Sequence, residues 1–383
     1  VRTRCNRILE GALRGDTEHF TVALDRLPAV AQEVARVTRE RYPDLDIPLH
    51  ARIGHFGDSR VQALRAAVPP ERWAAAAFDL VLVSVLLDAG AGPRWRFDDA
   101  PTGESIGRSE GLAVASLRAF EAGVFSADPE DPFRVDAEAL ASVDATALER
   151  AFGVRDDNPL VGVEGRVSLL HGLAAALRDG PWFDGARPSG LATSLAARGG
   201  PVSAAAVLEA LLHALADIWP SRHTLQGHNL GDVWRHPLAG GDGDTAGWVP
   251  LHKLSQWLTY SLIEPLQWSG LTITDLDGLT GLAEYRNGGL MVDLGVLAPR
   301  DPDVLSRAQA PDGPVVIEWR ALTVALLDRL APHVREALGK TPGDFPLGCV
   351  LEGGTWATGR RVARARRPDG APPIRIASDG TLF

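Results

Sequence analysis

A small set of acidic and basic residues stands out as groups that could do chemistry, because most are set in apolar company. Leu279 to Val296 reads L-T-G-L-A-E-Y-R-N-G-G-L-M-V-D-L-G-V and carries Glu284, Arg286 and Asp293 in an otherwise apolar frame. Glycine tolerates positive φ and close backbone approach, so Asn287-Gly288-Gly289 reads as a turn feeding a helix through Leu290, Val292, Leu294 and Val296. A helix start offers unpaired N–H groups to an anion or a polar substrate group, with Glu284 and Arg286 alongside. The bland alternative is a helix cap beside a structural Glu-Arg pair. Asp88 ends the most continuously apolar stretch of the chain, and a carboxylate at the inner end of a buried helix must be paired, protonated or used. Lys253, Gln256, Tyr260 and Glu264 recur at spacings of three and four, which places them on one face of a helix. That face is either solvent or the wall of a pocket. His50, Arg52 and His55 fall in a short irregular segment between Pro48 and Gly57. Two histidines five apart, with no third ligand at a convincing spacing, read as hydrogen-bonded or capping residues more readily than as a metal site.

The elements that must position these groups are helical. Pro28 to Tyr42, Trp73 to Asp88, Ser105 to Val124, Val135 to Phe152, Gly162 to Leu177, Val202 to Trp219, Leu251 to Pro265 and Val315 to Leu330 all carry apolar residues at helical spacing. Ser109 is the expected N-cap of the third of these, closing at Gly123. Strand alternation is scarce. Residues 178–203 are rich in Gly, Pro and Arg, and predict a joint between two helical lobes of one catalytic domain, approximately 1–180 and 200–383. The cleft between them is expected to be lined by the ends of the Asp88, Lys253 and Glu284 segments. The tail P-P-I-R-I-A-S-D-G-T-L-F predicts a short extended segment with a turn at Asp379-Gly380.

Composition excludes several function classes. The 383 residues are 45% hydrophobic and 23% charged, as in an ordinary globular enzyme. A formal charge of −10 argues against a broad surface for nucleic acid, although a single phosphate in a pocket is still allowed. Neither a run of 18 apolar residues nor an apolar N-terminal segment is present, so the expectation is a cytoplasmic protein without membrane contact. Two cysteines, Cys5 and Cys349, supply no disulfide framework and are expected to be reduced and inert. No Walker loop, Rossmann fingerprint or nucleophile elbow is found.

The strings I-P-L-H-A-R, S-V-L-L-D-A-G-A-G-P-R-W, R-S-E-G-L-A-V-A-S, N-L-G-D-V-W-R-H-P, H-K-L-S-Q-W-L-T-Y-S-L-I-E-P and E-Y-R-N-G-G-L span nearly the whole chain. Through them the sequence strongly resembles the uracil-catabolism family called Urc-four or Urg-three. At Ile53-Gly54 and Gly57-Asp58 it departs from that family's bulkier, more basic segment. The resemblance implies a step in a uracil breakdown route that passes through uridine monophosphate and ring-opened ribosyl intermediates towards urea, in company with other uracil-catabolism enzymes. The chain more distantly resembles the queuosine 5′-phosphate N-glycosidase (queuine salvage) family. That family's L-D-A-L-N-F-x-F-W is similar to Leu87-Asp88-Ala89 through Trp95. Its K-R-A-Q is similar to Lys253-Leu254-Ser255-Gln256, and its F-A-D-Y-R to Leu282-Ala283-Glu284-Tyr285-Arg286, with Glu in place of Asp. This second resemblance implies an all-α fold like that of helix-hairpin-helix DNA glycosylases, and cleavage of a ribosyl C–N bond.

The reading that follows is an N-ribosyl hydrolase without metal or cofactor, acting on a small phosphorylated ribosyl substrate such as ribosylurea 5-phosphate. Glu284 is the expected oxocarbenium-stabilising or water-activating carboxylate and Asp88 the second acid. Lys253 and Arg286 are expected to hold phosphate or ribose oxygens, with Gln256, Tyr260, His50, Arg52 and Asp293 as further substrate contacts. The alternatives are an amidohydrolase acting on a ureido intermediate, with metal at His50, His55 and His252, and a non-catalytic partner protein. Glu284 and Lys253 are expected to approach one another.

Overall fold

The computed structural model describes residues 1–220 and 222–377. The fold is mostly α, as the periodicity predicts: 57% is helical, and among the described residues the strands are two to four residues long and pair only in twos. The described residues fall into two compact units, and neither is a continuous half of the sequence. The first takes Val1–His50, Asp232–Gln256 and the described residues from Leu276 on; the second takes Ala51–Gly231 and Trp257–Asp275. Residues 178–203 lie inside the second unit.

The first unit is built on the 25-residue helix Pro314–Leu338, which packs against Arg2–Arg14 and Leu27–Arg41. Val30, Val34 and Val37 recur on the buried face of Leu27–Arg41, while Glu33, Arg36 and Glu40 pair with one another on its exposed face. One carboxylate sealed inside this unit is well engaged. Glu318, 1% exposed on the long helix, accepts from the backbone N–H groups of His19 and Phe20 and lies 3.3 Å from His236 Nε2. The extended tail survives as Arg375–Ile376, which pairs in parallel with Ala308–Gln309. The expected Asp379-Gly380 turn lies outside the described residues.

The second unit is centred on Trp73–Leu86, buried at every position from Ala76 onward. An apolar surface on all sides is what a helix surrounded by protein requires. Its one buried charge, Asp79, accepts two hydrogen bonds from Arg187, at 2.6 and 3.1 Å, and one each from the backbone N–H groups of Val135 and Ser189. Arg108–Glu121 packs on this helix, and Val163–Asp179 packs across it. Val135 to Phe152, expected as one helical stretch, is two helices, Ala137–Ser142 and Ala145–Ala151, and Asp136, Asp144 and Ser203 each accept a backbone N–H as N-caps.

Two local expectations are corrected. Ser109 does not cap its helix; the helix starts at Arg108 behind Gly107, and the Ser109 hydroxyl is spent on Asp88 instead. Asn287-Gly288-Gly289 is not a turn but the interior of the helix Tyr285–Asp293. Its glycines serve packing. A Cβ at Gly288 would come within 2.7 Å of Trp319 Cε2, and one at Gly289 within 2.9 Å of Pro373 Cδ. The positive-φ position that glycine alone takes easily comes after the helix, at Gly295 (φ +74°).

Candidate functional site

Because Tyr285–Asp293 starts earlier than the glycines suggest, Glu284 becomes its N-cap. The backbone N–H groups of Arg286 and Asn287 donate to Oε2 and Oε1, both at 2.6 Å. Both oxygens are therefore fixed, and each keeps lone-pair capacity for a further partner. Burial raises the Glu284 carboxyl above the usual carboxylate range. The two N–H donors and the charges of Lys253 and Arg286 oppose that rise without cancelling it. Lys253 thus lies within electrostatic reach of Glu284, 31 residues away in sequence.

The loop that carries Glu284 and the start of the Lys253 helix are tied to the same buried pair. Arg320 donates from Nη1 and Nη2 to the two oxygens of Asp232, each at 2.7 Å, and from Nε to the carbonyl of Ala283 at 3.1 Å. Asp232 also accepts from the backbone N–H of Lys253 at 2.9 Å and from the Trp234 indole at 2.6 Å. Although burial alone would raise the Asp232 carboxyl, Arg320 and these donors hold it well below the usual range. Such a bidentate, fully bonded pair is the geometry in which a buried ion pair fixes position. It aligns Ala283-Glu284 with Lys253. His252, just before the helix, is left neutral: burial lowers it to about 4, with Asp232 partly opposing.

Other expected contacts are engaged elsewhere. Gln256 is spent on Thr280, donating to its Oγ1 at 2.8 Å and accepting from its N–H at 3.3 Å. Arg286 is buried and donates to the Gly370 carbonyl at 2.9 Å. Asp293 sits at the other end of its helix, paired with Arg367 at 2.8 Å. His50 lies 2.7 Å from Glu352, which also accepts from Tyr42 and Arg41. Burial would raise Glu352, but these partners outweigh it and bring the carboxyl down to about 2. Among the described residues, no three His, Cys, Asp or Glu side chains gather as metal ligands, so His50, His55 and His252 do not form a set.

In the second unit Tyr260 is fully buried, which settles the character of that part of the helix face as protein interior rather than solvent. Asp88 and Arg52 are brought together directly: Arg52 Nη1 is 2.9 Å from Asp88 Oδ1, and Ser109 Oγ donates to the same oxygen at 2.7 Å. The turn carrying Asp88 is strapped by Arg166, buried, which donates to the carbonyls of Leu87 (3.0 Å), Ala89 and Val161. Asp232, Arg320, Glu352 and Arg166 are missed by reading the sequence. Asp232 alone leaves a trace, as an acid between Gly231 and the apolar Val233-Trp234.

Comparison with known proteins adds a family to this geometry. The chain is 39% identical over 401 residues to the protein urg3 of Schizosaccharomyces pombe, covering all of this chain and 96% of that one. It is 35% identical over 413 residues to Uracil catabolism protein 4 of Lachancea kluyveri, covering 96% of this chain and 93% of that one. Residues 1–383 match a family described as protein of unknown function, DUF1688, and on these full-length matches the chain belongs to that family.

Proposed function

We propose that this chain acts in uracil catabolism as an N-ribosyl hydrolase, cleaving ribosylurea 5-phosphate, or a close ring-opened derivative of uridine monophosphate, to urea and ribose 5-phosphate. The name of the Lachancea kluyveri relative supports the pathway. The observation that carries the chemistry is Glu284, half-buried and held by two backbone donors with Lys253 acting on its charge. Breaking the C1′–N bond leaves positive charge on the sugar and electrons on the ureido nitrogen. A carboxylate whose position is fixed stabilises that charge or takes a proton from the attacking water, the oxygen of which bonds to C1′. The departing nitrogen gains a proton, so that one water is consumed for each urea released. Lys253, half-buried, is the cation suited to the substrate phosphate, since Arg286 is already spent in part on Gly370.

Incubation of the purified protein with ribosylurea 5-phosphate, with urea and ribose 5-phosphate measured separately, tests this reading. Equimolar release of both products is expected, with a loss of about a hundredfold or more in Glu284→Gln. Ammonia in place of urea would mean amide hydrolysis instead. Unchanged turnover in Glu284→Gln would remove the carboxylate from the mechanism.

A further inference from the structure

The second unit contains a buried guanidinium whose bonding is incomplete. Arg52 is fully covered. Its Nε donates to Ser84 Oγ at 2.7 Å, and its Nη1 contacts Asp88 Oδ1 at 2.9 Å, Ser109 Oγ at 3.1 Å and the Ser109 carbonyl at 3.3 Å. Even its backbone N–H is used, by Ser261 Oγ at 2.9 Å. Nη2, however, is buried and meets no acceptor among the described residues. Buried donors without a partner are rare in folded proteins, because the lost hydration is not repaid. Asp88 is complementary to it. The contacts described for this carboxylate, from Ser109 and from Arg52, both fall on Oδ1, and the side chain is 10% exposed.

Charge narrows the class of ligand. Arg52 and Asp88 neutralise one another, and Glu110 adds negative potential at Arg52. A phosphate or carboxylate brought to Nη2 would therefore face Asp88 without an unbalanced cation to hold it. A neutral group that accepts at one atom and donates at the next meets no such penalty, and a carbonyl beside an N–H has that pattern. Arg166 makes the arrangement stiff, because it holds the carbonyls on both sides of Asp88, those of Leu87 and Ala89.

We propose that the Arg52–Asp88 pair is a recognition site for a neutral C(=O)–NH edge, with the carbonyl accepting from Arg52 Nη2 and the N–H donating to Asp88 Oδ2. The ligand enters from the Asp88 side, the exposed member of the pair. An open ureide and a pyrimidine ring both carry this edge. The inference stands on residues of the second unit alone and does not depend on the hydrolase reading, so its test measures binding rather than turnover.

Calorimetric titration with two pairs of probes tests it: uridine against 3-methyluridine, and ribosylurea against its analogue dimethylated on the terminal nitrogen. Within each pair the second member has lost the N–H that lies cis to the carbonyl; the dimethylated ureide keeps only its ribosyl N–H, which points away from the carbonyl oxygen. The N–H-bearing member of one pair is expected to bind about tenfold tighter or more, as for a hydrogen bond to a charged group. Which pair discriminates tells a closed ring from an opened ureide. Asp88→Asn should bring that ratio towards one. Arg52→Lys, which keeps the charge and loses the fork, should weaken the N–H-bearing member about tenfold. Equal affinity within both pairs, or no binding of any probe at millimolar concentration, overturns the proposal without needing a variant to fold. So does an unchanged ratio in folded Asp88→Asn.

Discussion

The capping role of Glu284 and the catalytic role proposed for it can be separated by pH. Its carboxyl is raised by burial, so in the folded protein it holds its proton to higher pH than in the unfolded chain. The stability linked to this group is therefore complete below its unfolded pKa and is lost as pH rises through the raised folded value. Glu284→Gln cannot titrate. The melting-temperature advantage of the unsubstituted protein over Glu284→Gln should accordingly shrink as pH rises from the ordinary glutamate range through the raised folded value, where the charged form takes over. A constant difference across that range would show that folding does not shift this carboxyl. In the hydrolysis proposed above the dependence runs in the opposite direction, because that mechanism requires the ionised form. The acid limb of kcat/KM for urea release should lie above the usual glutamate range. In Lys253→Met it should move to still higher pH, since Lys253 is one of the groups favouring the charged form. An unmoved limb in a Lys253→Met protein that still turns over would uncouple the two residues.

At the scale of elements, the helix Tyr285–Asp293 shows why glycine can mislead. A Gly-Gly pair after Asn is a turn signal only when the backbone needs positive φ, and neither glycine here has it. The pair instead lets the helix lie against the Trp319 indole and the Pro373 ring, and Gly359 lets the helix Trp356–Arg366 approach the Arg286 carbonyl, where a Cβ would sit at 2.6 Å. Gly288→Ala therefore overpacks a buried contact at Trp319 and Thr323, at a cost of about 1–3 kcal/mol. Gly54→Ala is the matched control: a Cβ there meets nothing within 4 Å and φ is not positive. It should be neutral or stabilise by about 0.4–1 kcal/mol. Urea midpoints at constant m distinguish these outcomes, and equal midpoints for the two variants would mean that the helix shifts freely. Such freedom would also undermine the site, because the same helix holds Glu284 at its first turn.

For the whole molecule, the sequence made legible what is local and periodic. Helical spacing located the buried helix ending before Asp88, the Lys253 helix and the long helix at Val315 to Leu330, because apolar faces repeat within a few residues of one another. The interleaving of the two units was not legible, since the chain changes unit between His50 and Ala51, after Gly231, after Gln256 and after Asp275, without a composition shift at any of them. Nor were the long-range pairs Asp232–Arg320 and His50–Glu352, whose members stand 88 and 302 residues apart. Charge, by contrast, is a whole-chain property that can be read directly, and it carries a last expectation. The segment G-R-R-V-A-R-A-R-R at 359–367 is the one locally basic run, and nucleic-acid affinity requires free cations that displace counterions from several phosphates. Its arginines are partly committed already. Arg360 lies over the Trp356 ring at 4.6 Å, Arg361 pairs with Glu40 at 2.6 Å, and Arg367 pairs with Asp293. Against a net charge of −10 the remaining cations are too few. Duplex DNA should therefore show no binding at physiological salt by fluorescence anisotropy, and any binding in dilute buffer should vanish steeply as salt is added. A sub-micromolar affinity that persisted at physiological salt would require a basic surface that these pairings leave no room for.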